Sequence, residues 1–490
     1  MAWGSGNFNS CDKLLERVEK NDPTLVDLVI LPMKSFGAKD MERLSNAIEN
    51  GVNTHLVSIS ASGHKLPPNS LLKFGTALSV QAQMQRETQT ASFGITSLAI
   101  GSKDMGDEGV IALCQGLRSS NGALLQHLDL GWKEMRKDGL YEIGKTFMHS
   151  KNLTQLDLSR NDFGNDGIVQ LSKAVQTAVD DDDKKDGMDD AVAFPALEQL
   201  ILSECNIDSK GMNVLADILV GQHNSLRRSK RIHLAIGSNA IGSAGCQALD
   251  RLLSCGNDGS IISHLQAAEC SISDDGMEIL SDGCHRHVEI MDISDNKITE
   301  VGAEKLAQSL LSQSWPDLAE LNIAKNKLGS DGVITILGAL ATRSDRSDSK
   351  LDKNSSLKSL DLSYTDCGAE GAKAVLMSGG LHNVRLFGNK IGSDGFDAIV
   401  PLLQGGHPNI ETLDLGGNNA EEDSVVRLLD SIADKKDDSF HSRLVVLEIG
   451  GNKFGEKAME ALTRLQSVWP ELDVAHDKPV SESGWQDEDQ

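Results

Sequence analysis

The chain has 490 residues, of which 39% are hydrophobic but only 4% aromatic, so any core must be built mainly from aliphatic side chains. Its formal net charge of −25 creates a field that repels phosphate backbones, which argues against a nucleic-acid partner and favours a basic one. No run of about 18 consecutive apolar residues occurs, so neither a membrane span nor a membrane partner is expected.

Residues 1–21 contain no basic stretch followed by an apolar run, so no secretory leader is expected; they read as an N-terminal capping helix region. Degenerate repeats follow around Val26 to Phe36 and Leu56 to Ile59. The segment from Gly139 to Thr146 matches the spacing of a phosphate loop, with Gly144, Lys145 and Thr146 closing it. A phosphate loop needs a buried strand directly before it, whereas Leu140, Ile143 and Phe147 continue a helical spacing, so the match is read as coincidence.

The clearest repeat is LTQLDLSRNDFGNDG, marked by Leu153, Leu156, Leu158, Asn161, Phe163, Gly164 and Gly167. It returns as LAELNIAKNKLGSDG from Leu318 and as VRLFGNKIGSDG from Val384. The central apolar position recurs at Leu98, Leu128, Leu156, Leu200, Leu234, Leu265, Met291, Leu321, Leu360, Val384, Leu413 and Leu447. With the degenerate repeats this predicts roughly 13 or 14 units, most of them about 24 to 34 residues long. They span residues 22–472, with charged insertions at 176–194 and 343–356, and an acidic, disordered tail is predicted at 473–490.

Alternating apolar residues make one face of a short strand, and the Asn position turns the chain while its amide can satisfy buried backbone groups. Lys103, Lys133, Cys205, Cys270 and Thr365 stand in for that Asn in some units. The glycine six residues later, as at Gly109, Gly139, Gly211, Gly276, Gly302 and Gly371, is read as supplying dihedral angles that other residues avoid. Val333, Ile336, Leu337 and Leu340 then follow at helical spacing, so each unit is strand, turn and helix.

This pattern resembles the ribonuclease-inhibitor-like class of leucine-rich repeats, to which the GTPase-activating protein of Ran and the repeat domain of tropomodulin are related. The resemblance implies an α/β fold: a right-handed leucine-rich-repeat solenoid, or horseshoe, with parallel strands on its concave face and helices on its convex face. Protein binding without catalysis is expected because the sequence offers no convincing catalytic constellation. The Ran relationship would make the chain a regulator of a small GTPase through an arginine on a loop after an early strand. The comparable stretch, ISASGHKLPPNSLL, holds His64 and Lys65 and no arginine; the next one downstream is Arg86. Lysine does not reproduce the planar fork of arginine on a phosphoryl group. A tropomodulin-like actin binder is a weaker alternative, resting on the opening segment alone.

The expected function is therefore a monomeric, non-enzymatic scaffold with no catalytic residue, cofactor or metal site, binding a basic protein or a small GTPase. Its predicted surface combines an acidic ladder of Asp129, Asp157, Asp292, Asp361, Asp414 and Glu448 with residues that depart from the repeat pattern: Trp132, Arg160, Glu204, Tyr364, Arg385 and Phe387. Aromatic and arginine side chains of this kind dominate binding hot spots. Eight scattered cysteines fit a reducing compartment, cytoplasmic or nuclear. Cys284, His285 and His287 are read as a polar turn, and Arg227, Arg228, Lys230 and Arg231 as a charged turn or a nuclear-import signal.

Overall fold

The computed structural model describes residues 10–51, 54–88, 94–182, 193–221, 230–254, 260–345, 357–378, 380–404, 409–434 and 443–477. They fall into two compact units, one running to Ile241 and the other from Gly242 onward. In the first, Asp27–Val29 (β1), Ser58–Ser62 (β2), Ser97–Gly101 (β3), His127–Asp129 (β4), Gln155–Asp157 (β5), Gln199–Ile201 (β6) and Ile232–Ala235 (β7) pair in parallel, each with the next. In the second, Ile262–Gln266 (β8), Ile290–Asp292 (β9), Glu320–Asn322 (β10), Ser359–Asp361 (β11), Asn383–Arg385 (β12), Thr412–Asp414 (β13), Val446–Glu448 (β14) and Asp473–Ala475 (β15) do the same.

The predicted register marks fall opposite one another: Leu98 pairs Leu128, which pairs Leu156, and Leu360 pairs Val384, which pairs Leu413. Every one of these side chains is buried, while the residues on either side of it are half-buried or exposed, apart from the buried Asp414. Among the described residues a helix follows each of β1–β14, and its apolar stripe closes the core; in Gly329–Asp345 this stripe is Val333, Ile336 and Leu337, with Leu340 half-buried. The helix Asp12–Glu19 lies before β1, burying Leu15 and Val18, with Arg43 bridging its Asp12 and Glu19.

Several sequence boundaries shift. Asp473–Ala475 is a strand, because Val474 continues the core from Leu447, so the sheet enters the segment assigned to the tail and the strands outnumber the predicted repeats. Helices extend to Asp182 and Asp345, inside both predicted insertions, and Ala193 and Phe194 are buried at the far end of the first. The remainder of each insertion, the tail beyond Asp477, and Arg227 and Arg228 lie outside the described residues.

The Asn position performs its predicted task. Asn161 is buried, donates to the carbonyls of Leu130, Leu158 and Ser159, and accepts from the amides of Lys133 and Met135. Asn239, Asn296, Asn326, Asn389, Asn418 and Asn452 occupy the same place. The repeat glycine needs a different explanation from its dihedral angles. Gly139 and Gly302 lie inside helices, without positive φ, and each donates its N–H to a first-turn side chain of the preceding helix: Asp107 at 3.0 Å and Asp274 at 2.9 Å. A β-carbon at either position would lie 2.7 or 2.5 Å from that oxygen, so the requirement is close approach.

His285 is fully buried, with Nε2 2.8 Å from the Leu280 carbonyl, Nδ1 3.2 Å from Ser254 Oγ, and its ring 4.1 Å from that of the buried Trp315. Burial holds its pKa below the ordinary value for histidine, opposed by the Leu280 carbonyl and Asp250. The unfolded chain therefore binds the proton more readily, so stability present above about pH 6.5 should fall as the pH drops toward the lowered folded value. Urea unfolding followed by tryptophan fluorescence at pH 7.5 and 5.5 is expected to show a larger loss for the parent than for His285→Asn; equal losses would refute this assignment.

Candidate functional site

The ladder residues occupy the last position of β4, β5, β9, β11, β13 and β14, one after the buried register mark. Asp129 stands beside Asp157 in the first unit. In the second the row reads Asp292, Asn322, Asp361, Arg385, Asp414, Glu448 across neighbouring strands. It is therefore not uniformly acidic: Ile201 and Ala235 end the row in the first unit, and Arg385 interrupts it in the second.

Five of the acids also hold the fold. Asp129, Asp157, Asp292, Asp361 and Asp414 each accept the amide two residues on, from Gly131, Ser159, Ser294, Ser363 and Gly416 at 2.8–2.9 Å. These bonds fix the strand exit as Asx turns do. No such bond involves Glu448 among those described. Burial raises the Asp414 pKa, as do Glu448 and Asp361, against the Gly416 amide and Arg385. Burial likewise raises Asp129, with Asp157 adding to it. The adjacent Lys133 is buried and lowered for the same reason, held up by those two carboxylates.

Trp132, Arg160, Glu204 and Tyr364 share one backbone position, immediately before the Asn-type residue, and all have φ near 57°. Ser238, Glu269, Asp295 and Lys325 adopt it too, and Gly388, Gly417 and Gly451 occupy it in the last repeats. The positive φ thus belongs to the turn, and a non-glycine residue there costs about 1–2 kcal/mol. In the first unit Trp132, Arg160, Asp162, Glu204 and Asn206 line a shallow cavity of about 370 Å³. Arg160 Nε pairs with Glu204 at 2.9 Å, and Lys103 Nζ stands 5.7 Å over the Trp132 ring, which is 56% exposed. In the second unit Tyr364, 51% exposed, packs on Phe387 at 5.4 Å, and Arg385 Nη1 lies 3.7 Å from Asp361.

Sequence reasoning missed a second hollow in the first unit. Ser58, Ser60, Ser97, Ala99, His127, Gln155 and Gln199 place small or neutral polar groups in front of β2–β6 and leave about 380 Å³ beside Asp129 and Asp157. Its signal is the run of serines at outward strand positions, in contrast to the aspartates farther along.

The phosphate-loop match lies on the helix Lys137–Phe147, with Leu140, Ile143 and Phe147 buried. Asp107 already accepts the Arg136 and Gly139 amides at its N-terminus, placing a carboxylate where a phosphate would sit. His64 is buried against the Ile30 carbonyl, Lys65 pairs with Asp104 at 2.6 Å, and Arg86 reaches the Ser120 carbonyl. Cys284 is exposed while His285 is engaged inside, and among the described residues no three His, Cys, Asp or Glu side chains cluster to hold a metal. No helix among them is long and apolar enough to cross a membrane.

A family model described as Leucine Rich repeat matches residues 149–172, 284–307 and 353–376, three units of the array described above. These three segments are leucine-rich repeats. The chain's α/β architecture of parallel strands alternating with helices is the solenoid expected of such repeats. Curated relatives include NACHT, LRR and PYD domains-containing protein 5 of Homo sapiens, 26% identical over 49% of this chain, and protein 14 of Mus musculus, 26% identical over 55%. The chain spans only 18% and 24% of those relatives. Solved structures similar to it include the Rad7 and Elc1 complex in yeast, with a TM-score of 0.38, 13% identity and 92% of both chains covered. A second is the TLR13–ssRNA13 complex, with a TM-score of 0.37, 13% identity, and 92% of this chain and 61% of that one covered.

Proposed function

We propose that this leucine-rich-repeat chain is a non-enzymatic scaffold that holds a protein partner along its strand exits. The observation that carries this reading is the shared backbone position of Trp132, Arg160, Glu204 and Tyr364: large side chains sit half-exposed, on a rigid frame, where glycine serves elsewhere. Rigid presentation lowers the entropy lost on binding, and tryptophan, tyrosine and arginine supply the contact energy. The net charge of −25 supports a basic partner. Buried, unlinked cysteines such as Cys114, Cys205 and Cys367 support a cytoplasmic or nuclear setting.

The test must avoid the aspartates, whose reversal would break the strand exits. Affinity capture from lysate with the full chain should recover partners that are lost with Trp132→Ser, Arg160→Glu and Glu448→Lys combined, while the thermal melt stays close to that of the parent. An unchanged set of captured proteins would falsify the reading.

A further inference from the structure

The exits of β11–β14 present a chemically particular surface. Tyr364 lies on Phe387, and the floor beside the two rings is made of glycine: a β-carbon on Gly388 would lie 2.5 Å from the Tyr364 ring, and one on Gly416 or Gly417 would lie 2.7 or 2.9 Å from the Phe387 ring. Gly388 and Gly417 both have positive φ, and their amides bond the Gly416 and Gly450 carbonyls at 2.9 and 2.7 Å. No side chain grows from this floor to cover the rings. Along one edge run Asp361, Asp414 and Glu448, with Arg385 as the single cation among them, 62% exposed and 3.7 Å from Asp361. Asp477 adds a carboxylate by accepting the Gly451 amide at 2.5 Å.

We propose that this surface receives an arginine side chain from a basic segment of a partner protein, stacked against Tyr364 beside Phe387 with its guanidinium directed to Glu448. The proposal rests on the protein-binding reading above and names the chemistry of one of its contacts. The chemistry of the surface selects this occupant. Carboxylates outnumber cations along the edge, so an acidic or neutral segment gains nothing there while a basic one is attracted. The exposed Tyr364 ring favours a cation, and a flat guanidinium can stack on it while still donating bidentate bonds to a carboxylate. Lysine, a compact and strongly hydrated ammonium, can do only one of these at a time. Arg385 marks the mode of binding, since the chain's own guanidinium already lies across Asp361 and competes for the same edge.

The test uses the full chain and short, fluorescently labelled glycine–serine peptides carrying arginine, lysine or glutamate at the same positions, read by anisotropy. The arginine peptide should bind, the lysine peptide should bind more weakly, and the glutamate peptide should not bind. Tyr364→Ser and Glu448→Gln should each weaken the arginine peptide about tenfold, the loss of a desolvated cation–π or charge contact. Arg385→Ser should tighten it, an effect that a merely structural role would not produce. If Tyr364→Ser fails to fold, Glu448→Gln and Arg385→Ser still decide. Equal binding of arginine and glutamate peptides, or affinities unmoved by these substitutions in folded protein, would overturn the proposal. Partners still captured through Trp132 and Arg160 in that case would leave the scaffold reading intact.

Discussion

Asn418→Ala is expected to destabilise the second unit by about 3 kcal/mol or more, because several buried backbone groups lose their partner at once. Asn418 is fully buried and donates to the carbonyls of Leu386, Leu415 and Gly416 at 2.9, 2.9 and 3.0 Å. Its oxygen accepts the Asn389 amide at 2.7 Å, and its own amide is held by Asn452 at 3.1 Å, so it links three successive repeats. Alanine keeps the methylene and removes all side-chain polar atoms, leaving buried groups that water cannot reach. Each such orphan costs about 1–3 kcal/mol, more than any gain from helix or strand propensity at one site. Asn418→Thr should be milder, since Thr365 shows that a hydroxyl can serve in this position, donating to the Leu362 carbonyl at 2.7 Å. Urea unfolding and exchange of the Asn389 amide are the measurements. An Asn418→Ala protein within about 0.5 kcal/mol of the parent, the range of ordinary surface changes, would refute the account.

The asparagine ladder was legible in the sequence because amide side chain, spacing and burial all follow from one repeating pattern. The strand register was legible for the same reason: a period of two leaves only one residue of each short strand to bury, and Leu128, Leu321 and Leu413 mark it plainly. β15 escaped because Val474 stands among Asp473, Ala475 and His476, and Pro479 stands five residues on, where the repeat pattern calls for its Asn-type residue. The glycines were found but explained wrongly, since Gly302 answers to an aspartate one repeat away and local pattern carries no record of that neighbour. For the candidate surface, position was readable and duty was not. Tyr364 and Trp132 could be placed because each precedes the Asn-type residue, whereas the bond from Asp414 to the Gly416 amide, which turns a presumed contact residue into a turn-former, depends on backbone geometry at the strand exit.

The helix pair Pro68–Thr88 and Gly106–Leu117 gives the second large effect, and sequence periodicity does not announce it. A β-carbon on Gly116 would lie 2.5 Å from the Leu72 carbonyl oxygen, 2.6 Å from the Thr76 amide nitrogen and 2.8 Å from the Gly75 carbonyl carbon. Gly75 faces it in return, its β-carbon position 2.6 Å from the Leu113 oxygen. Ser79 Oγ fastens the contact by donating to the Gly116 carbonyl at 2.8 Å. All of the obstructing atoms are backbone, so no rotamer change makes room and the helices must separate, loosening Leu71, Leu78, Leu113 and Leu117, which are now buried. Alanine in a helix normally gains about 1 kcal/mol over glycine. Overpacking of this kind costs about 1–3 kcal/mol or more, so the clash decides the sign. Gly116→Ala is expected to destabilise, and Gly116→Val to do so further. Gly338 is the contrasting case, a helical glycine with nothing within 4 Å of its β-carbon position, where Gly338→Ala should stabilise by about 1 kcal/mol. Urea unfolding of the three variants separates packing from propensity: a stabilised Gly116→Ala would mean that the helices can part freely, and that the glycine contact does not hold the first unit together.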